Sequence, residues 1–317
     1  MKKISKLRKK QIIVLAILLI VLVGAFFWLK PSFFKQEKSL SKKEGSEITS
    51  GPKTQETFYK ADKVLTFAVI GDIHMGAEPS VEPLLKEALE KAKNYQAEFV
   101  ILIGDLTKNG ALEDFLALKE ILDGSGLTYY LIPGNHDIGR EAGGRGFDYF
   151  QELFGSTYQE VVYKLKESKA SSKMTKKVRL FLLDTSSLGK GEMIINKEEW
   201  LWIKQKLDNN VEDPSELRLV FSQTPFDKFG WTESIYLREF FCESYVDGFF
   251  EADVHRTEFF YRACPIPGWE EKANVAQAFP TFKPGALFEP DNEFPGFLMM
   301  EYFDNHFFDI KKVFVGD

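Results

Sequence analysis

Cysteine is scarce in this sequence. Only Cys242 and Cys264 occur among 317 residues, and they do not form a close Cys-x-x-Cys pair, which argues against a zinc site built on thiolates. The two residues can form one disulfide bridge or remain as two buried thiols. The sequence leaves both possibilities open.

Net positive charge is absent beyond the amino terminus, where acidic residues outnumber basic ones. Seven of the 41 lysine and arginine residues lie in the first thirty positions, where there is no acidic residue, so the net charge of −6 for the whole chain becomes −13 for the remainder. Proteins that bind nucleic acid draw most of their affinity from basic side chains that neutralise phosphates. The acidic body therefore predicts no nucleic-acid partner.

Long apolar runs are limited to one near the amino terminus, from Ile12 to Leu29, which contains no charged residue. Its length of eighteen residues is just enough for a membrane span. The basic residues before Gln11 should stay on the cytoplasmic side, so the chain after Leu29 is expected outside the cytoplasm. A cleaved signal peptide is the alternative, since Val23-Gly24-Ala25 offers small residues to a peptidase.

These features divide the chain into four predicted segments. They are a cytoplasmic basic segment (1–11), a transmembrane signal anchor (12–29), a flexible stalk (30–62) and one folded domain (63–317). The stalk is rich in Ser, Lys, Glu, Thr and Gly and has no sustained apolar period. The predicted location is the cell membrane, with a single pass and the folded domain outside the cytoplasm.

The folded domain alternates apolar runs of strand length with longer amphipathic stretches, a pattern typical of α/β domains with buried strands. The predicted strands are 64–70, 99–103, 128–132, 178–183, 217–221 and 246–250, and the predicted helices are 81–94, 112–122 and 196–209. The polar segment 166–177 is predicted to be an exposed loop. After Arg262 the sequence indicates irregular structure, then a last strand or hairpin through 297–300 and 307–308.

Three predicted strands end in short polar loops of one kind. These are Gly71-Asp72-Ile73-His74, Gly104-Asp105-Leu106-Thr107-Lys108-Asn109-Gly110 and Gly134-Asn135-His136-Asp137. Because ligand sites in open α/β sheets gather at the carboxyl ends of strands, we expect the loops to converge. Carboxylate, imidazole and amide oxygen are ligands for divalent metals. Any one of these loops alone has a simpler explanation as a turn or a helix cap.

In this order, each directly after an apolar strand, the loops resemble the signature of the calcineurin-like metallophosphoesterases: Asp-x-His, Gly-Asp-x-x-x-x-Gly and Gly-Asn-His-Asp/Glu. The resemblance covers about Val64 to Met300, with softer features at Phe221-Ser222-x-x-Pro225 and Pro295-Gly296-Phe297-Leu298. It implies a two-sheet α/β/β/α sandwich with the helices outside. It also implies a hydrolase of phosphomonoesters or phosphodiesters that uses two divalent metal ions (Mn, Fe, Zn or Mg).

The resemblance also implies a set of metal ligands, carried over position by position. The set is Asp72, His74, Asp105, Asn135, Gln223, Asp253 and His255. Asp105 would bridge the two ions, and the metal pair would lower the pKa of a bridging water to give the attacking hydroxide. His136 would be the general acid for the leaving oxygen or would stabilise phosphoryl charge, and Asp137 would orient it.

The sequence differs from the family's usual pattern at two positions of the second metal site. Gln223 and Asp253 stand where the family usually has histidine. Both can still donate oxygen, and the exchange adds one negative charge, which favours a hard cation. The two departures support an alternative function as a non-catalytic binding or scaffolding domain. The intact remainder of the signature supports an enzyme.

Overall fold

A computed structural model describes residues 62–139, 144–165, 175, 177–186, 195–207, 215–266, 269–288, 295–303 and 307–316. The predicted basic segment (1–11) and transmembrane anchor (12–29) lie outside the described residues, and so does the predicted stalk (30–62) except for Asp62. Most of the predicted loop 166–177 lies outside them as well. No helix in the described part of the chain is long and apolar enough to cross a membrane.

Eleven strands and five α-helices form within the described ranges. The strands are β1 (Lys63–Gly71), β2 (Phe99–Ile103), β3 (Thr128–Ile132), β4 (Gln159–Lys164), β5 (Lys177–Leu182), β6 (Glu216–Ser222), β7 (Gly248–Glu251), β8 (Thr257–Ile266), β9 (Trp269–Pro284), β10 (Gly296–Phe303) and β11 (Phe308–Phe314). The helices are α1 (Val81–Asn94), α2 (Leu112–Ser125), α3 (Gly146–Phe154), α4 (Lys197–Leu207) and α5 (Trp231–Glu243). Two short 3₁₀ helices, His136–Ile138 and Phe226–Lys228, lie in loops.

The first sheet has five strands in the order β11-β10-β1-β2-β3. Its strands β1, β2 and β3 are parallel, with Phe67 opposite Phe99 and Phe99 opposite Thr128. Strands β10 and β11 extend the sheet on the other side of β1 in antiparallel pairing. Because the three parallel strands end at the same edge, the loops that follow them are neighbours.

The second sheet has six strands in the order β4-β5-β6-β7-β9-β8. Its four inner strands, β5, β6, β7 and β9, are parallel. The outer strands β4 and β8 pair antiparallel with β5 and β9. The loops that follow β6 and β7 therefore also lie at one edge, and they carry Gln223 and Asp253.

The two sheets pack face to face, and helices cover both outer faces. Side chains alternate along β1, so Phe67 and Val69 point between the sheets and pack with Phe221 and Phe250 of the second sheet. The intervening residues of β1 pack under α1, α2 and α3. A third cluster joins the outer face of the second sheet to α4 and α5. The predicted two-sheet α/β/β/α sandwich is confirmed for the described domain.

A disulfide joins Cys242 in α5 to Cys264 in β8. It connects a helix that covers the second sheet to the strand at the edge of that sheet. Cys264 is buried among the side chains of this outer core. Of the two possibilities that the sequence left open, the structure therefore contains the bridge.

The predicted strands and helices are all present, and the predicted final hairpin is β10 and β11. The prediction of irregular structure after Arg262 is wrong, because β8 and β9 form a long hairpin there. The segment contains several prolines, which disfavour strands, but Pro265 lies in β8, the edge strand, where proline is tolerated. Strand β4 and helices α3 and α5 were not predicted. Helix α5 carries large apolar side chains on its exposed face as well as on its buried face, for example Tyr236 and Phe241, so its sequence shows no clear apolar stripe.

Candidate metal centre

The candidate site is formed by loops at the carboxyl ends of parallel strands from both sheets. The loop after β1 is joined to the loop after β2, because the His74 backbone N–H donates to the Asp105 carbonyl at 2.8 Å. The loops after β6 and β7 are joined by the Ala252 N–H, which donates to the Gln223 carbonyl at 3.1 Å. The loop after β3 passes so close that a Cβ on Gly134 would lie 2.1 Å from the Asp105 nitrogen. Only glycine fits there.

The backbone is strained at most of the predicted ligands. Left-handed φ angles of 45° to 62° occur at Asp72, His74, Asp105, Asp253 and His255. Such a conformation costs about 1–3 kcal/mol per residue and persists only where the surroundings hold it. Here the hydrogen bonds between loops hold it. Concentration of strain at these positions supports a functional role for them.

The first half of the site brings carboxylate and imidazole groups together. Asp72, His74 and His255 each offer a ligand atom within 4.8 Å of the other two, and His74, Asp105 and His136 form a second such group. The two groups share His74. Ligand atoms lie about 2.0–2.6 Å from a bound divalent ion, so two ligand atoms of one ion can be up to about 4–5 Å apart, which both groups satisfy.

Burial and like charge act against ionisation of the carboxylates. Burial, followed by the negative charges of Asp105 and Asp253, raises the pKa of Asp72 well above its usual value, whereas the Asp253 N–H and the Lys228 ammonium lower it. Burial, followed by the charge of Asp137, raises the pKa of Asp105 to about 7. A bound cation would reverse these shifts by favouring the ionised carboxylates.

The first half fits a divalent metal ion. In the described part of the chain, the buried carboxylate of Asp72 accepts hydrogen bonds from the Asp253 N–H alone, at 3.1 and 3.3 Å, and His255 Nε2 lies 4.0 Å from it. A cation would stabilise the ionised form of a buried carboxylate that has so few hydrogen-bond donors. Burial, and then the neighbouring rings of His136 and His255, lower the pKa of His74 to about 3, so its imidazole is neutral and can donate a lone pair.

Asp137 has a different environment from the one that the sequence predicts. Its two oxygens accept hydrogen bonds from the N–H groups of Leu106, Thr107 and Gly134 and from the Thr107 hydroxyl, at 2.7 to 2.9 Å. All four donors lie in the loops after β2 and β3, so the carboxylate ties these loops together. None of these bonds reaches the ring of His136.

His136 is exposed at the mouth of the site, and its ring is oriented by the backbone. Its Nδ1 lies 2.8 Å from the Lys108 carbonyl, so Nδ1 carries a proton and donates. The His136 backbone N–H donates to Asp105 Oδ1 at 3.0 Å. The Lys108 carbonyl therefore orients the His136 ring, a role that the family resemblance implies for Asp137, and Nε2 remains for a ligand or a substrate.

The second half is also assembled, but its predicted ligands already have protein partners. The Gln223 amide donates from Nε2 to Asp105 Oδ2 at 3.4 Å and to Asn135 Oδ1 at 3.2 Å. Asp253 forms an ion pair with Lys228. As placed, these side chains do not fit a second ion, because the oxygens that would hold it face protein donors. Two ions remain a prediction from the family resemblance.

Lys228 was not predicted from the sequence. It ends the short 3₁₀ helix after β6, and it approaches Asp253 across 25 positions of the chain. The one signal available was a lysine close after Pro225, in a loop at the carboxyl end of a predicted strand.

Two stacked sheets with ligand groups at their shared edge define a metallophosphoesterase domain. Residues 65–256, more than half of the chain, match the family model for calcineurin-like phosphoesterases. The chain belongs to this family.

A curated relative, "Probable glycerophosphodiester phosphodiesterase GpdQ" from Arcobacter nitrofigilis, is 28% identical over 137 residues. The match covers 42% of this chain and 44% of the relative, so the chain spans less than half of that protein's length.

Three solved structures have a similar fold. A dimetal phosphatase from Danio rerio has a TM-score of 0.51 at 14% identity, over 80% of this chain and 100% of its own. The purple acid phosphatase PPD1 from yellow lupin (Lupinus luteus) has a TM-score of 0.53 at 16% identity, over 78% and 51%. GAP50, described as the anchor in the inner membrane complex of Plasmodium, has a TM-score of 0.55 at 13% identity, over 81% and 90%. At these identities the likeness concerns the fold alone.

Proposed function

We propose that the chain is a metal-dependent phosphodiesterase. The observation that carries this proposal is the group of Asp72, His74 and His255, which holds a poorly compensated buried carboxylate beside a neutral imidazole. Membership of the calcineurin-like phosphoesterases supports hydrolysis of phosphate esters. The name of the curated relative supports diesters as the first substrate class to test.

The proposed mechanism assigns separate tasks to the residues of the site. Asp72, His74 and His255 would hold the ion. Asp105 lies beside them, because its carboxylate is within ligand distance of His74. When bound, a divalent ion supplies Lewis-acid chemistry and makes a nearby water more acidic. Water loses a proton to the solvent and attacks phosphorus as the bond to the leaving oxygen breaks. His136 acts in its doubly protonated form: Nδ1–H stays on the Lys108 carbonyl, and Nε2–H gives its proton to the leaving oxygen.

Turnover by the full-length chain in detergent tests the proposal. The protein is stripped with a chelator and supplied in turn with Mn²⁺, Zn²⁺, Fe²⁺ or Mg²⁺, and hydrolysis of bis(p-nitrophenyl) phosphate is compared with that of p-nitrophenyl phosphate. We expect metal-dependent cleavage, faster for the diester. Glycerophosphodiesters are then tested as substrates.

Asp72→Asn is the matched control, because it keeps the shape of the side chain but removes the buried negative charge that calls for a cation. It should lower both metal content and turnover. Equal rates for the wild type and Asp72→Asn with every metal would rule out the proposed activity. A faster rate on the monoester would keep a phosphoesterase but reverse the substrate class.

We also propose that the domain lies outside the cytoplasm and is attached through 12–29. The apolar run and the basic residues before it support this topology. The Cys242–Cys264 disulfide supports it independently, because disulfides persist in oxidising compartments and are rare in the cytosol.

A non-catalytic binding or scaffolding domain is the second candidate function. The observation that favours it is the engagement of Gln223 and Asp253 by protein partners. The same assay separates the candidates, because a scaffold would remain folded and would retain its metal ion but would hydrolyse neither ester.

A further inference from the structure

The second half of the site contains a cation of the protein's own. Lys228 pairs with Asp253, and its ammonium also lies 3.5 Å from the Asp253 carbonyl oxygen. The Asp253 N–H in turn donates to Asp72, so Asp253 alone links the lysine to a predicted ligand of the first ion. An ammonium group therefore lies beside the metal centre, on the side where the family resemblance predicts a second ion.

The turn that carries Lys228 is fixed by the core. Phe226 is buried against Phe249, with ring centroids 4.4 Å apart, and its backbone N–H donates to the buried Glu251 at 3.2 Å. The Lys228 N–H closes the turn on the Pro225 carbonyl at 2.9 Å. The lysine backbone is thus held in place, while 46% of its side chain remains exposed, so the ammonium can meet a substrate.

Gln223 is fixed in the same way and occupies the space between the halves. Its side chain is fully buried and packs over the β2 turn, where a Cβ on Gly104 would lie 1.8 Å from Gln223 Cγ. Its amide N–H groups already face Asp105 and Asn135. Binding of a second ion would require the Gln223 amide to rotate so that its oxygen faces the ion. The ion would also lie close to the Lys228 ammonium, and the two positive charges would repel each other.

We propose that the centre works with one metal ion and that Lys228 replaces the second one as the cation that binds a phosphoryl oxygen. This inference rests on the proposed phosphoesterase function and names a residue of the same site. Lysine suits the role because its ammonium has three N–H donors. Two of them face the carboxylate and carbonyl oxygens of Asp253, and the third remains for phosphate. Asp253 then acts as a positioning residue for Lys228.

Two measurements without turnover test the inference on the full-length chain in detergent. Metal content after equilibration with excess Mn²⁺ or Zn²⁺ should saturate at one ion per chain. Binding of inorganic phosphate to the Mn²⁺-loaded protein, followed by calorimetry, should weaken about tenfold or more in Lys228→Met/Asp253→Asn, which is the strength of one charge-assisted hydrogen bond. The double substitution removes both charges together, so it leaves the net charge unchanged.

The controls separate binding from folding. Lys228→Arg keeps the charge and should keep phosphate binding, and Lys119→Met/Asp123→Asn removes an exposed lysine–aspartate pair on α2 and should have no effect. Two ions per wild-type chain, or unchanged phosphate binding in the Lys228→Met/Asp253→Asn variant, would overturn the inference while leaving the phosphoesterase intact. No bound metal would overturn the proposed function as well.

Discussion

At the scale of single residues, the question for His136 is whether it binds the metal ion or protonates the leaving oxygen. Its ring lies within ligand distance of His74 and Asp105, yet it is exposed and its Nδ1 is held by the Lys108 carbonyl. We expect His136→Ala to lower kcat by about 10²–10⁴-fold, the usual contribution of a general acid, with metal content nearly unchanged. Steady-state kinetics and metal analysis of the same preparation check this.

Added imidazole should restore part of the activity of His136→Ala, which a purely structural role would not allow. His74→Ala is the matched control, because it removes a buried ring that we assign to the metal. It should lose the ion. If His136→Ala loses as much metal as His74→Ala, His136 is a ligand and another group must protonate the leaving oxygen.

Asp137 illustrates how a residue with a predicted catalytic role can be assigned differently by its contacts. All its described hydrogen bonds go to the loops after β2 and β3. Asp137→Asn would turn an amide N–H₂ toward backbone N–H donors, so we expect a loss of about 1–3 kcal/mol in unfolding free energy, with weaker metal retention. Urea unfolding with and without metal measures both. Full stability combined with low turnover would return Asp137 to the role of orienting His136.

At the scale of elements, α4 is attached to the sheet through a buried carboxyl group. Glu199 accepts a hydrogen bond from the Asp184 N–H at 2.7 Å, and in the described part of the chain its Oε2 has no hydrogen-bond partner. Burial, and then the charge of Asp184, raise the pKa of Glu199 to about 9. The folded state therefore holds a proton that the unfolded state releases above its usual pKa of about 4.5.

The free energy of unfolding should consequently fall as pH rises from about 4.5 to about 9, by up to about 1.4 kcal/mol per pH unit from this group. Glu199→Gln keeps the acceptor for the Asp184 N–H and cannot ionise, so its stability advantage over the wild type should grow across that range. Urea unfolding at pH 5 and pH 8.5 measures it. The exposed neighbour Glu198→Gln is the control. Parallel curves for the wild type and Glu199→Gln would contradict the raised pKa.

Elements were predictable where local signals agreed. Strands such as β2 are short, fully apolar and bounded by turns, and α1 has a regular apolar stripe, so both follow from the sequence. The β8 and β9 hairpin did not follow, because its stability comes from pairing with β7 and from the position of β8 at the sheet edge. These are tertiary effects that override local propensity.

At the scale of the whole molecule, site residues that lie close together in the sequence were easier to predict than those brought together from distant positions. Asp72 and His74 lie together in one short loop, and the metal site was predicted from this loop in combination with the polar loops after the next two strands. Asp253 meets Asp72 across 181 positions, and it was placed by family resemblance. The contact between Lys228 and Asp253 follows from neither, because it depends on how a turn after β6 is packed against β7.

The topology of the whole chain is the last prediction. Basic residues before Gln11, an apolar run over 12–29 and a disulfide in the folded domain are three independent features that agree on an extracytoplasmic domain. Protease added to intact spheroplasts should therefore digest the domain, while a cytosolic marker stays protected. On a non-reducing gel, the protein from cells should shift in mobility when dithiothreitol is added.

Cys242→Ser/Cys264→Ser is the control for the gel, because it cannot form the bridge and its mobility should not respond to reductant. Sequencing of the mature amino terminus separates the two forms of export, since a start near Phe26 means a cleaved signal peptide and an intact terminus means an anchor. Complete protection from protease, with reduced cysteines in cells, would place the domain in the cytoplasm. In that compartment a bridge between α5 and β8 would not persist, so both readouts must change together.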